Sequence, residues 1–303
     1  MDSLCAPMEL AYLLWRATGR TDHLDATFRA AARCVLEVWK LELDHDRSPY
    51  AFERPGGPAS DTLSRQGRGA PVGPTGMTWS GFRPSDDACR YGYLVPANMM
   101  AVVALGHLAT LADEVLTDAD LAAEARTLRS TLAEGIEAHG RVEHPRFGTI
   151  YAYEVDGLGG HHLMDDANVP SLLSAPYLGY CRPDDPTYLA TRAFALSEAN
   201  PYFFRGTVAA GVGSPHTPEG YVWPIALCVQ GLTARDEAEK LGLLERLLAT
   251  DAGTGLMHEG FHVDDPARFT RPWFAWANSL FAEFVLDCCG VRVPGAGGDL
   301  LDP

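Results

Sequence analysis

Residues 258–262 read HEGFH, which matches the H-E-x-x-H motif of zinc proteases. In those enzymes the motif lies on a helix, because the spacing of four residues then places both histidines beside one zinc ion. Here the motif follows the glycine-containing segment 251–255, contains Gly260 and is followed by Pro266, and these features disfavour a helix. The H-x-x-G-x-x-H extension of many zinc proteases is also absent. We therefore predict no metal at this motif, and a zinc metallopeptidase is the least favoured function.

Two pairs of adjacent aspartates, Asp86-Asp87 and Asp165-Asp166, raise the same question for magnesium. Prenyl-type synthases hold magnesium with a D-D-x-x-D motif, but neither pair has the third aspartate. An aspartate pair in a loop can equally cap a helix or form a turn, and that interpretation stays open for both pairs. We predict that the protein uses neither a metal nor a cofactor.

Helical hydrophobic periodicity recurs along most of the chain and predicts an all-α protein. The nine predicted helices span about residues 3–18, 22–43, 94–113, 118–138, 168–180, 186–197, 222–233, 235–250 and 273–288. Gly19 is predicted to end the first helix, and Thr21 and Asp22 are predicted to cap the second. Sustained alternation with hairpin turns is absent, although residues 149–155 could form a short strand.

The connections between these helices alternate between short and long. The long loops span about residues 44–92, 139–167, 198–221 and 251–272. Loops of such length within a domain are usually functional. If the helices form antiparallel pairs, all the long loops lie at the same end of the bundle. This arrangement is typical of an α/α toroid with a site at one mouth.

The long loops concentrate aromatic, histidine, arginine and carboxylate side chains, a combination that favours a binding site. Two carboxyl groups that face each other can hydrolyse a glycosidic bond. One protonates the leaving oxygen, and the other activates water or attacks the sugar. Aromatic rings stack on sugars, and polar side chains bind the hydroxyl groups. Residues of these types are Trp79, Arg83, His216, Trp223, His258 and Trp273. Trp223 and Trp273 begin predicted helices, so a place in the core is an open alternative for each.

Several long motifs in these loops resemble glycoside hydrolase family 125, the exo-α-1,6-mannosidases. The motifs are TGMTWSGFRPSDDACRYGYLVPANM, MDDANVPSLLSAPYLGY, GSPHTPEGYVWPIAL, TDAGTGLMHEGF and FTRPWFAWANSLF. The similarity extends over nearly all of the chain, to about Phe284. It implies an (α/α)6 barrel and a metal-independent, inverting hydrolysis. The product would be single mannose units released from the non-reducing ends of α-mannosides such as N-glycan-type oligosaccharides.

The resemblance also implies a role for individual residues. Asp86 corresponds to the general acid, with Asp87 as the less favoured choice, and Glu259 corresponds to the general base that activates water. The remaining residues predicted to bind the sugar are Trp79, Arg83, Asp87, Asp165, Asp166, Asn168, His216, Trp223, His258 and Trp273. An inverting mechanism requires the two catalytic carboxyl groups to stand about 6.5–9.5 Å apart, so that a water fits between them.

The chain departs from this family in two respects. About nine helices are predicted where an (α/α)6 barrel has twelve, and the family's N-terminal M-W-x-R-D-S motif does not occur. We expect an incomplete N-terminus or a shortened homologue, with apolar helix flanks exposed and self-association through them. Activity would then be weak, because small misplacements of catalytic groups cost orders of magnitude in rate. A catalytically impaired toroid that binds mannosides is the alternative function.

The composition is that of a folded protein, and the resemblance implies one catalytic domain over residues 1–303, with a disordered tail at 291–303. Of the 303 residues, 47% are hydrophobic and 21% are charged. The net charge of −16 argues against nucleic acid as a partner, because phosphate binding needs clustered basic residues.

The lack of a recognisable targeting signal in this sequence and the cysteine usage together predict a cytoplasmic protein. The first residues have no basic segment ahead of an apolar run, and no stretch approaches about 18 uninterrupted apolar residues. We therefore predict neither a signal peptide nor a membrane span. The seven cysteines are an odd number, and we predict that they are buried free thiols.

Overall fold

Eight helices of nine or more residues form the framework within residues 1–291, the part of the chain that the structure, a computed structural model, describes. They are α1 (Asp2–Thr18), α2 (Ala26–Leu41), α3 (Val95–Leu111), α4 (Ala119–Gly135), α5 (Pro186–Ala195), α6 (Pro224–Leu232), α7 (Glu237–Ala249) and α8 (Ala275–Cys288). Eight of the nine predicted helices are thus confirmed. Apart from Val291, the predicted tail lies outside the described residues.

Aspartate side chains begin four of these helices by accepting a backbone N–H of the first turn. These caps are Asp25, Asp118, Asp185 and Asp236. Helix α2 begins behind Asp25, whose carboxylate accepts the N–H of Phe28 at 2.9 Å. The prediction that Thr21 and Asp22 cap this helix is therefore wrong. Gly19 ends α1 as predicted, in the left-handed conformation with a φ of 70°.

The helix predicted at 168–180 is wrong, because this segment forms a series of turns. The backbone N–H groups of Leu172 and Leu173 donate to the carboxylate of Asp165, at 2.8 and 2.9 Å. A side chain that takes up backbone N–H groups in this way competes with helix formation. Pro170 has no N–H to contribute to a helix. The segment is thus fixed against Asp165 rather than coiled on itself.

The long loops contain ten short strands, so the prediction of an all-α chain needs correction there. The strands are β1 (Tyr93–Leu94), β2 (Arg141–His144), β3 (Gly148–Tyr151), β4 (Glu154–Val155), β5 (His161–His162), β6 (Phe203–Arg205), β7 (Ala210–Val212), β8 (Tyr221–Val222), β9 (Gly260–His262) and β10 (Asp265–Thr270). They form antiparallel sheets in the orders β1-β4-β5, β10-β9-β8, β2-β3 and β6-β7. The strand predicted within 149–155 is confirmed by β3 and β4.

The core has two main apolar clusters, each built around a helix that is buried on almost all sides. Helix α3 packs between α1 and α4 in the first cluster, and α6 packs between α7 and α8 in the second. By length and composition, the segment Val95–Leu116 is also apolar enough to cross a membrane. Because 72% of its apolar window is buried inside the protein, we interpret it as a core helix.

Two of the sheets bring distant loops together at one end of this framework. Strand β1 precedes α3 and pairs with β4, which follows α4. Strand β8 precedes α6 and pairs with β9, which precedes α8. The predicted site residues lie in these loops, at the end of the framework where α3, α6 and α8 begin.

Each of the seven cysteines lies within the described residues and is a free thiol. Cys5 and Cys228 are buried in the core, as predicted. Cys34 and Cys289 are exposed, because they lie on the outward faces of α2 and the end of α8. The prediction of free thiols is confirmed, and the prediction that all of them are buried is wrong.

Candidate active site

Asp86 lies at the tip of a tight turn and lines a cavity of about 590 Å³. The turn is closed by two backbone hydrogen bonds, from Arg83 N to Asp87 O at 2.8 Å and from Asp86 N to Arg83 O at 3.0 Å. Asp86 has a φ of 70°, a left-handed conformation that costs a residue with a side chain about 1–2 kcal/mol. Strained backbone of this kind is concentrated at functional sites. The turn exposes the Asp86 carboxyl group to the cavity.

Asp87 points away from the cavity and is buried. One of its carboxyl oxygens lies 3.1 Å from the Ser85 hydroxyl, and the other lies 3.5 Å from Nδ1 of His216. The hydrogen bond with Asp87 is the main cause that raises the pKa of His216, and the negative charge of Glu259 raises it further. His216 therefore lies within the electrostatic reach of both the aspartate turn and Glu259.

A buried ion pair supports the aspartate turn from behind. Nε of Arg83 donates to Glu154 at 2.6 Å, and both side chains are buried. The second carboxyl oxygen of Glu154 accepts the backbone N–H groups of Arg90 and Tyr91, at 2.8 and 2.9 Å. Glu154 thus binds the chain on both sides of Asp86.

The second aspartate pair is buried beneath the turn rather than exposed to the cavity. Both oxygens of Asp165 accept backbone N–H groups, and burial raises the pKa of this carboxyl group to about 7. Asp166 lies 3.1 Å from the Ser85 hydroxyl. Asn168 donates from Nδ2 to the carbonyl of Pro84 at 2.8 Å. Asp166 and Asn168 therefore contact the turn itself, whereas Asp165 binds the backbone of Leu172 and Leu173.

Glu259 immediately precedes β9, and its side chain is almost completely buried. Its carboxyl oxygen Oε1 lies 3.0 Å from Nε of Arg271, a residue whose own side chain is 58% exposed. The N–H of Glu259 donates to the carbonyl of Thr270 on the adjacent strand β10. Glu259 is not among the residues that line the cavity at Asp86; it lies in the loop before α8, just ahead of strand β9, which pairs with β8 before α6.

The H-E-x-x-H segment does not have the geometry of a zinc site, and the ring nitrogens of His258 have other partners. Residues 260–262 form strand β9, which is extended, so the helical geometry of a zinc protease does not form. His258 is buried against the ring of Phe269, with 3.8 Å between ring centroids. Its two ring nitrogens face the backbone carbonyls of Pro272 and Asp251, at 3.0 and 3.2 Å. Within residues 1–291, the structure contains no group of three His, Cys, Asp or Glu side chains arranged to hold a metal.

The three predicted aromatic residues occupy different environments. Trp79 lines the cavity and stacks on His45, with 3.5 Å between ring centroids. A Cβ at Gly92 would lie 2.0 Å from the indole nitrogen of Trp79, so only glycine fits there. Trp223 lies in the core and donates to Thr217, which favours the core interpretation. Trp273 is 60% exposed.

The family described as metal-independent alpha-mannosidase (GH125) matches residues 1–286 of the chain. The chain belongs to the GH125 family. This confirms the resemblance inferred from the sequence motifs.

Two relatives extend the comparison for this GH125 chain. The meiotically up-regulated gene 157 protein of Schizosaccharomyces pombe is 44% identical over 302 residues, covering 95% of this chain and 58% of that protein. The chain thus spans little more than half the length of this relative. A Streptococcus pneumoniae metal-independent α-mannosidase, in a non-productive complex with α-1,6-mannobiose, is 52% identical with a TM-score of 0.95. The match covers 96% of this chain and 69% of that one, and it shows that the GH125 chain shares its helix-rich α/α toroid fold.

A second solved structure supports the fold alone. A bacterial glucoamylase in complex with acarbose matches with a TM-score of 0.55 and 14% sequence identity. The match covers 69% of the GH125 chain and 35% of the glucoamylase.

Several residues at the site of this GH125 chain were not predicted from its sequence. Glu154, Ser85 and Arg271 contact the predicted catalytic segments, and Tyr50 and Trp276 line the cavity. Glu154 had one sequence signal, because it is the only charged residue in the apolar strand segment 149–155. Ser85 and Arg271 lie inside quoted family motifs, but their residue types alone assign no role.

Glu154→Gln is expected to lower the free energy of unfolding of this GH125 chain by about 3–5 kcal/mol. The substitution leaves the buried Arg83 without its counter-charge, which is the costly way to break a buried ion pair. Urea unfolding of the purified chain measures the change. Glu137→Gln is the matched control, because it breaks an Arg–Glu pair of similar length, 2.8 Å, on the surface. An exposed pair contributes about 0–1 kcal/mol, so equal losses in both variants would contradict the prediction.

Proposed function

We propose that this chain carries the catalytic centre of an exo-acting α-1,6-mannosidase that hydrolyses its substrate with inversion. The observation that carries this proposal is the placement of the two predicted carboxyl groups. Asp86 is presented to a cavity by a strained turn, and Glu259 lies on a separate loop beside Arg271. The GH125 membership, and the mannobiose bound by the Streptococcus pneumoniae relative, support mannose as the sugar.

In the proposed reaction, Asp86 acts as the general acid. Its carboxyl group donates a proton to the glycosidic oxygen as the bond from that oxygen to the anomeric carbon breaks. The exposure of Asp86 to the cavity supports this role, since the acid must reach the leaving oxygen. The tight turn from Arg83 to Asp87 would keep the carboxyl group in position throughout the cycle.

Glu259 acts as the general base in the same step. Its carboxylate removes a proton from a water molecule, which attacks the anomeric carbon from the face opposite the leaving group. Arg271 binds Oε1 at 3.0 Å and fixes the orientation of the carboxylate, so the second oxygen can bind the water. In a complex with substrate, we expect the carboxyl groups of Asp86 and Glu259 to stand about 6.5–9.5 Å apart.

The cavity and its rim provide the sugar contacts in this proposal. Trp79 offers an aromatic surface inside the cavity, and Trp276 offers a second, more exposed ring at its edge. His216 is partly exposed next to Asp87 and can bind a hydroxyl group of the sugar. That the α/α toroid of this chain is an incomplete (α/α)6 barrel stays a prediction of the same proposal.

A proton NMR time course with α-1,6-mannobiose in the presence of EDTA tests this function. We expect β-mannose to appear first, at a rate that EDTA does not change, and little release from α-1,2- or α-1,3-linked mannobiose. Early α-mannose would contradict inversion, and loss of activity in EDTA would contradict the metal-independent mechanism. Saturable binding of mannobiose without release would support the mannoside-binding alternative, and neither binding nor release would overturn the proposal.

A further inference from the structure

The Ser85 hydroxyl lies between two carboxyl groups inside the protein. Its oxygen is 3.1 Å from Oδ2 of Asp87 and 3.1 Å from Oδ2 of Asp166. The three residues are each exposed by 5% or less, so water does not solvate this contact. The mechanism proposed above uses none of the three side chains directly.

The number of hydrogens at this contact decides its charge state. A serine hydroxyl has one hydrogen to donate, and an ionised carboxylate has none. If both Asp87 and Asp166 were ionised, one carboxylate oxygen would face the lone pairs of Ser85 without a hydrogen between them. An unsatisfied polar contact of this kind is costly in a buried place. One additional proton, held by one of the two carboxyl groups, satisfies both contacts.

The surroundings favour Asp166 as the residue that holds this proton. Asp87 has a second donor in Nδ1 of His216, which lies 3.5 Å from its other oxygen, so each of its oxygens has a hydrogen to accept. Asp166 is completely buried, and burial raises its pKa to about 6.

Other groups facing Asp166 act in both directions. The charge of Arg83 and the hydroxyls of Ser214 and Ser85 favour the ionised form of Asp166, while the negative charge of Asp87 disfavours it. Asp165 is adjacent in the chain, and Tyr153 also lies within electrostatic reach. Arg83 is already engaged in its ion pair with Glu154, which limits its effect on Asp166.

We propose that Asp166 holds a buried proton and uses it to donate a hydrogen bond to Ser85. The Ser85 hydroxyl is then free to donate its own hydrogen bond to Asp87. In this chain of hydrogen bonds Asp166 and Ser85 are positioning residues. They fix the side chain of Asp87. The backbone carbonyl of the same residue accepts the N–H of Arg83 and so closes the turn that presents Asp86 to the cavity. The consequence for catalysis rests on the proposed function, but the presence of the proton does not.

Asp166→Asn tests for the proton without any measurement of turnover. Asparagine has the shape of a protonated aspartate, with Nδ2 in place to donate to Ser85 and Oδ1 to accept the N–H of Asn168. The proton of Asp166 stabilises the wild type below the ordinary pKa of 3.8, and this stability is lost as the pH rises through about 6. We therefore expect the variant to match the wild type near pH 4 and to have the higher thermal unfolding midpoint at pH 7.

The control for this experiment is Asp165→Asn at the neighbouring, equally buried position. Both oxygens of Asp165 accept backbone N–H groups, so the amide nitrogen of asparagine would face a donor there. We expect this variant to have a lower unfolding midpoint than the wild type at pH 7. An Asp166→Asn variant that is also less stable than the wild type at pH 7 would overturn the proposal, because it would show that the ionised carboxylate is the stabilising form.

Two further readouts separate this inference from the proposed function. Infrared difference spectra at pH 5 should show protonated-carboxyl absorption in the wild type that decreases in Asp166→Asn, while the contribution of Asp165 stays, and unchanged absorption would contradict the proposal. If the chain is active, Asp166→Asn should extend turnover to higher pH, while Ser85→Ala should lower kcat with little change in KM. A pH profile that Asp166→Asn leaves unchanged would overturn the positioning role. An inactive wild type would count against the proposed function alone, since the midpoint and infrared results would still decide where the proton is.

Discussion

Glu259→Gln is expected to lower kcat on α-1,6-mannobiose by about 10²- to 10⁴-fold, which is the range that a general base usually contributes. Glutamine keeps the size of the side chain and can still accept a hydrogen bond from Arg271. It cannot take a proton from water, so the attacking nucleophile is no longer activated. KM should change little, because Glu259 is proposed to bind the water rather than the sugar.

Steady-state kinetics and calorimetric titration of the inactive variant with mannobiose check both halves of this prediction. Glu219→Gln is the matched control, because Glu219 is exposed on the neighbouring loop before β8 and undergoes the same chemical change. The control should keep the kcat and KM of the wild type. If Glu259→Gln kept most of its turnover, Glu259 would not be the base. A loss of binding equal to the loss of turnover would point to a sugar ligand instead.

The helical framework could be predicted from the sequence because its signals are local. Helix α3 is a long, almost uniformly apolar segment, α4 has apolar residues at helical spacing, and Asp118 caps α4 within the same segment. The segment 168–180 has a similar apolar pattern, yet it forms turns because Asp165 takes its N–H groups. Asp165 lies outside the predicted helix, so the hydrophobic pattern of residues 168–180 contains no sign of its effect. Apart from the strand within 149–155, the strands were missed for a related reason, since most of them have only two or three residues and leave almost no alternating pattern.

The candidate site could be predicted by residue type, but the direction of each side chain could not. Asp86 and Asp87 are adjacent and chemically identical, and only the turn places one in the cavity and the other against His216. Glu154 acts on Arg83, 71 positions earlier in the chain, and a contact of that separation has no local signature. Trp223 has the residue type of a sugar platform and lies in the core.

Asp86→Asn and Asp87→Asn are expected to differ in how their losses depend on the leaving group. If Asp86 is the general acid, Asp86→Asn should lower kcat on mannobiose by about 10²- to 10⁴-fold. The loss should be much smaller on a dinitrophenyl α-mannoside, because that leaving group departs without protonation. Asp87→Asn should lower the rate on both substrates by a similar factor. Its amide disturbs the contacts with Ser85 and His216, and so displaces the turn rather than removing the proton donor.

The ratio of kcat on the dinitrophenyl α-mannoside to kcat on mannobiose therefore assigns the acid, whatever the size of either loss. The exposure of Asp86 to the cavity and the burial of Asp87 favour a high ratio in Asp86→Asn alone. A high ratio in Asp87→Asn instead would assign the acid to Asp87, and the buried contact with Ser85 would then have to open during catalysis. Equal ratios in both variants would mean that neither aspartate donates the proton. The left-handed backbone of Asp86 would then require a structural explanation.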